Sequence, residues 1–157
     1  MTVAISIAAL AVSLSALLAT RWRDRRDLLL RVHEQLSTTD QQRGRRLLSR
    51  IGRGTPVDGL TDQQYDLVNN ALASLNTLGI YYHRRYINRN DVLELWADTL
   101  VRLAAPADKF LAASDTARGR RTRPQLNQLV KAAQQYKTGD GRWRRPRALG
   151  NTWARCR

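Results

Sequence analysis

A chain of 157 residues has room for one small domain with appendages, and none for a second large core. Its net charge of +14, carried by 24 arginines and three lysines, weighs against cationic partners and favours anionic ones such as lipid headgroups or nucleic acid. The single cysteine, Cys156, excludes an internal disulfide and a cysteine metal cluster, and it is the penultimate residue, whereas a C-terminal lipidation box needs its cysteine fourth from the end.

The chain opens on an uncharged run from Thr2 to Thr20. Its 19 residues, as a helix, reach roughly 28 Å, close to the ~30 Å hydrocarbon core of a bilayer. Eight of them are strongly apolar, from Val3 to Leu18, and together they contribute on the order of −2 to −5 kcal/mol to insertion. Ser6, Ser13, Ser15 and the threonines offset part of that. Three readings compete: a cleaved signal peptide, a buried helix of a soluble core, and a retained single span. A signal peptide carries its positive charge before the apolar run. Here the charge comes after it, in RWRDRR, with Arg21, Arg23, Arg25 and Arg26 around Trp22. That order favours the retained span, a single-pass segment over 2–20. The positive-inside rule then expects the N-terminus outside and the remainder in the cytoplasm, with Trp22 at headgroup level. Ala4, Ala8, Ala11, Ser15 and Ala19 follow helical spacing and form a small-residue face of the kind that lets helices associate in lipid. The simpler reading is that alanine and serine are common in this chain.

Charge divides the rest of the chain into three zones. Residues 21–53 carry net +6, residues 54–117 net −3, and residues 118–157 net +11. A mildly acidic centre between basic flanks predicts a folded module with basic appendages. In the first zone Leu28, Leu29, Val32 and Leu36 continue a helical pattern, and Ser37 to Asp40 is a break rich in capping side chains. Leu47, Leu48 and Ile51 form a short apolar face that Gly52 and Gly54 end.

The centre is the best specified. Thr61 with Gln64 makes a capping box, and Tyr65, Val68, Leu72, Leu75 and Tyr82 then recur at helical spacing. Tyr86 to Asn90 is turn-like, and Asp91 with Glu94 marks a second helix start. Val92, Leu95, Trp96, Leu100 and Leu103 give the next apolar face, which Pro106 should end or kink. Two such helices joined by a short turn should pack as an antiparallel hairpin. Leu72, Leu75, Trp96 and Leu100 are expected in one core. Beyond residue 118 a basic segment contains one short helix from Pro124 to Tyr136, stopped by Gly139 and Gly141, and residues 142–157 read as a disordered basic tail. No strand and no repeat is expected, so the fold class is all-α: a transmembrane helix, a small helical hairpin or bundle, and a tail.

The run LNTLGIYYHRRYINRNDVLELWADTLVRL, with LLLRVHEQL and RRLLSRI before it, resembles the bacterial family called domain of unknown function 4760. The resemblance covers roughly residues 21–117 and rests on helix order and apolar positions. It implies a small protein with one N-terminal transmembrane helix and a helical cytoplasmic part, and it implies no activity.

Chemistry is sparsely signalled. His33 and His83 are the only histidines, and a metal site needs three or four ligands. Asp91, Glu94 and Asp98 share a helix side, but an exposed face explains them more simply. No catalysis and no cofactor is expected. Tyr81, Tyr82, Arg84, Arg85 and Tyr86 mix aromatics with guanidinium groups and form a candidate partner surface. Alternatively, the tyrosines finish the core and the arginines favour the helix C-terminus. In the tail, Trp143 and Trp153 alternate with Arg142, Arg144, Arg145 and Arg147, a candidate lipid or single-strand nucleic-acid segment. The expected role is a membrane-anchored, non-catalytic adaptor or assembly subunit. The alternative is a nucleic-acid-binding protein acting through the tail.

Overall fold

In the computed structural model of the protein, residues 2–118 and 123–139 are described, with side-chain surroundings for residues 10, 12–114 and 123–139. All regular structure among them is helical: α1 (Thr2–Leu36), α2 (Thr39–Gly52), α3 (Asp62–His83), α4 (Arg89–Arg118) and α5 (Pro124–Thr138), with a 3-10 turn at Val57–Gly59. The all-α expectation holds.

α1 is continuous for 35 residues, about 52 Å at 1.5 Å per residue, with no break where the basic flank begins. Its two halves differ in burial. From Leu10 to Asp27 every described side chain is exposed, whereas Leu29, Val32 and Leu36 are buried against α2 and α3. Among the described residues no helix is long and apolar enough to cross a membrane. The expected transmembrane helix at 2–20 is therefore not supported.

The break after Leu36 falls as expected, but no side chain caps α2. Thr38 is its N-cap without a capping hydrogen bond, and its hydroxyl donates backward to Gln35 O at 3.2 Å. The end of α1 is tied instead by Arg45, whose Nη1 donates to Leu36 O at 2.7 Å. The capping box of α3 is present with both bonds, Gln64 N to Thr61 Oγ1 at 3.3 Å and Thr61 N to Gln64 Oε1 at 3.2 Å.

α3 and α4 do not form the expected side-by-side hairpin. Their backbones scarcely meet, whereas α2 packs on both and α5 packs on both. Two glycines permit this. A Cβ at Gly44 of α2 would lie 2.3 Å from Leu67 O, and one at Gly79 of α3 would lie 2.6 Å from Gln125 O. At each crossing the helices meet backbone to backbone. The core accordingly reaches beyond residues 54–117 and takes in Leu48 and Ile51 of α2 and Leu126, Leu129 and Ala133 of α5. Leu72, Leu75, Trp96 and Leu100 all belong to it.

Pro106 does not end its helix; it lies inside α4. Its ring packs near Gly52, and Ala107 and Phe110 beyond it are buried. Burying a phenylalanine stabilises by about 1.5–3 kcal/mol, comparable with the ~3 kcal/mol an internal proline costs. α5 starts without a cap of its own. Asn76 of α3 accepts from Leu126 N at 3.1 Å, and the largely buried Arg123 donates to Asn69 Oδ1 at 2.6 Å. Gly139, at φ 75°, terminates α5 as expected; Gly141 lies outside the described residues.

Candidate functional site

The turn between α3 and α4 gathers most of the side chains that stand out in the sequence. α3 closes with Arg85 N donating to Tyr82 O at 3.3 Å and Tyr86 N to Tyr81 O at 3.1 Å. These are the two bonds of a Schellman ending, which needs a left-handed residue between them. Glycine usually supplies it. Here Arg85 does, at φ 57°, the one non-glycine with positive φ among the described residues. The next helix begins at Arg89, ahead of the expected Asp91–Glu94 pair, with Asn88 before it as the cap: Asn88 Oδ1 accepts from Asn90 N at 3.1 Å, and Asn88 Nδ2 donates to Asp91 Oδ1 at 3.0 Å.

Arg89 locks the turn. Its Nε donates to Tyr82 O at 3.2 Å and its Nη2 to His83 O at 3.3 Å, satisfying carbonyls at the end of α3. Its guanidinium sits 5.1 Å from the Tyr82 ring centroid. Burial, partly countered by Arg89, raises the Tyr82 phenol above its ordinary range. Burial and then the Arg89 charge lower the His83 imidazole, whose Nε2 is enclosed without a hydrogen-bond partner.

The five residues of the expected partner surface therefore separate. Tyr82 is 3% exposed and belongs to the core. Tyr81 is half-buried and contacts Tyr86, with ring centroids 6.2 Å apart. Arg84, Arg85 and Tyr86 are exposed.

Across from this turn lies the basic flank of α1. Trp22, Arg25, Arg26 and Leu29 form one wall of a groove of about 650 Å³, and Arg85, Ile87 and Arg89 form the other. Trp22 is 76% exposed. Among the described residues the side chains of Arg25, Arg26 and Arg85 have neither an ion pair nor a hydrogen bond. Arg21 and Arg23 are exposed outside this groove. Arg89 and Ile87 carry no sequence signal for this site, since only the fold brings residues 85–89 to residues 22–29.

The remaining marked residues take structural roles. His33 meets the edge of Trp96, with centroids 5.7 Å apart, and Arg45 lies 5.3 Å from the same ring. Asp98 pairs with Lys137 of α5, which holds its carboxyl below the usual range. With Asp91 bonded to Asn88, the expected carboxylate stripe is divided between a helix cap and an ion pair. Among the described residues no three metal-ligating side chains converge. Ser15 and Ala19 are exposed, and the side chains of Ala4, Ala8 and Ala11 lie outside the described set. Arg142, Trp143, Arg144, Arg145, Arg147 and Trp153 also lie outside the described residues.

Compared with known proteins, the chain matches no family model, no curated protein and no solved structure.

Proposed function

We propose that the protein is a non-catalytic membrane module, an adaptor or assembly subunit, with residues 2–20 held in the bilayer and the helical body at the cytoplasmic surface. One observation carries this reading. Leu10, Val12, Leu14, Leu17 and Leu18 are 53–72% exposed on a helix that projects from the packed body, and a ring of arginines begins where they stop. Exposed apolar surface of this kind, with Leu10, Leu14, Leu17 and Leu18 along one side of the helix and Val12 on another, needs cover, and lipid provides it. The hydroxyls along it are compatible with lipid. Ser15 Oγ donates to Val12 O at 2.8 Å and Thr20 Oγ1 to Ala16 O at 2.9 Å, so neither presents an unbonded hydroxyl proton to an apolar medium. The undivided α1 would transmit the position of the anchor to the body, because its second half is part of the core.

The test is fractionation of cells producing the tagged full chain, followed by an alkaline carbonate wash. The protein should stay in the membrane pellet and retain residues 2–20. Cys156, the sole cysteine, should resist a membrane-impermeant maleimide until the membrane is permeabilised. Recovery of intact protein in the soluble or carbonate-extracted fraction would overturn the reading.

A further inference from the structure

We propose that the groove between the basic flank of α1 and the α3–α4 turn binds the phosphate of an anionic phospholipid headgroup. This rests on the membrane reading above. The first observation is the face that α1 presents. Trp22, Arg25, Arg26, Leu29 and Leu30 all line the groove and stand at i, i+3, i+4, i+7 and i+8, one side of a helix. The flank's acids, Asp24 and Asp27, are absent from that lining. Within RWRDRRD the helix thus turns Arg25 and Arg26 toward the groove, while both carboxylates, like Arg21 and Arg23, lie outside its lining.

The second observation comes from the opposite wall. Arg85 holds a left-handed backbone conformation where glycine would be less strained, and its exposed guanidinium borders the groove. Arg89 is already fixed by the carbonyls of Tyr82 and His83, so its charge is in place before any ligand arrives. Four guanidinium groups face one carboxylate, Asp91. The lining therefore carries net +3, and three of its guanidinium groups have no protein partner among the described residues. A phosphodiester matches this set, because guanidinium forks pair with phosphate oxygens two at a time.

The third observation selects the source of the phosphate. The groove is not purely polar: Leu30, 58% exposed, contributes apolar surface above the buried Leu29 and Ile87, and Trp22 stands open at its edge. A free phosphate ion has no use for these. A lipid does, since its glycerol and upper acyl carbons would continue from the headgroup along the exposed Leu18, about one turn before Trp22 on the same helix side. Tryptophan at that level suits the membrane interface. A single-stranded nucleic acid would favour a row of aromatic faces, and this groove has one.

The test uses the full chain in nonionic detergent, titrated separately with short-chain phosphatidylglycerol, short-chain phosphatidylcholine, inorganic phosphate and a single-stranded oligonucleotide. Bound lipid is counted by native mass spectrometry and affinity is read by calorimetry. Phosphatidylglycerol should bind at least tenfold tighter than the other three. The double variant Arg25→Gln with Arg85→Gln should lose more than tenfold of that affinity, since a basic group near an anionic surface is worth roughly fivefold. The charge-matched pair Arg46→Gln with Arg50→Gln, on α2 and outside the groove, should lose less than threefold. Equal losses in the two pairs would reduce the effect to general charge attraction and overturn the site. Phosphate binding as tight as lipid, or tighter binding of the oligonucleotide, would also overturn it. The groove variant should remain in the carbonate-washed pellet, so a chain that is anchored yet indifferent to these substitutions refutes the groove and leaves the membrane reading intact.

Discussion

Replacing Trp96 by alanine should destabilise the protein by about 3 kcal/mol. The indole is 6% exposed and stands where α1, α2 and α4 meet, flanked by His33 and Arg45. Truncation returns roughly 150 Å² of apolar surface to the unburied side of the balance, about 4 kcal/mol at ~25 cal/mol per Å². Loss of the Arg45 cation–π contact adds about 0.5 kcal/mol. One term runs the other way: Trp96 Nε1 is buried without a hydrogen-bond partner, and removing it recovers about 1.5 kcal/mol of desolvation. The same reasoning makes Trp96→Phe nearly neutral, within about 1 kcal/mol, because the smaller loss of area is offset by removal of the orphan N–H. The assay is urea unfolding of the full chain in a fixed nonionic detergent, followed by far-ultraviolet circular dichroism so that the tryptophan change does not alter the signal. A midpoint for Trp96→Ala within about 1 kcal/mol of the parent, or a phenylalanine variant as damaged as the alanine one, would refute the account.

Three further outcomes are expected. Gly79→Ala should cost about 1–3 kcal/mol by urea unfolding, since its methyl would meet Gln125 O at 2.6 Å, whereas Gly59→Ala, whose nearest neighbour would be 3.5 Å away, should change stability by less than ~0.5 kcal/mol. Arg85→Gly should stabilise by about 0.5–1 kcal/mol, because it relieves a left-handed residue at some entropic cost, and a lower melting temperature would contradict this. His83 gives a pH dependence. Its folded-state proton affinity is lowered by burial and by Arg89, so its contribution is present above the ordinary histidine value of about 6.5 and is lost as the pH falls through the lowered value. His83→Gln should flatten the melting temperature against pH over this range, and an unchanged slope would assign the effect to other groups.

The local signals in the sequence were strong where one segment holds all the parts. The Thr61–Gln64 capping box, the stop at Gly52 to Gly54, and the apolar stripes of α3 and α4, apart from the exposed Leu95, depend on residues three or four apart, and spacing reports such contacts directly. The buried set Leu72, Leu75, Trp96 and Leu100 was legible for the same reason. The tyrosine–arginine cluster was visible as a composition, but its division into a core Tyr82 and an exposed Arg84, Arg85 and Tyr86 was not.

Features that depend on two distant segments were hidden until the helices packed. Spacing within α3 and α4 cannot say that α2 and α5 will each pack on both, because that depends on how closely Gly44 and Gly79 let backbones approach a helix distant in sequence. Pro106 is a helix stop by propensity, yet the burial of Ala107 and Phe110 carries α4 through it. α5 has no cap in its own sequence, and Asn76 supplies one from 50 residues away. The groove is the fullest case. Two basic clusters, at Arg25–Arg26 and Arg84–Arg85, can be read from the order of residues alone. Only the packing of α1 against the body brings Arg25, Arg26, Arg85 and Arg89 around one groove. Charge composition is a property of the chain, whereas the concentration of charge in one place is a property of the fold, and an anion responds to the second.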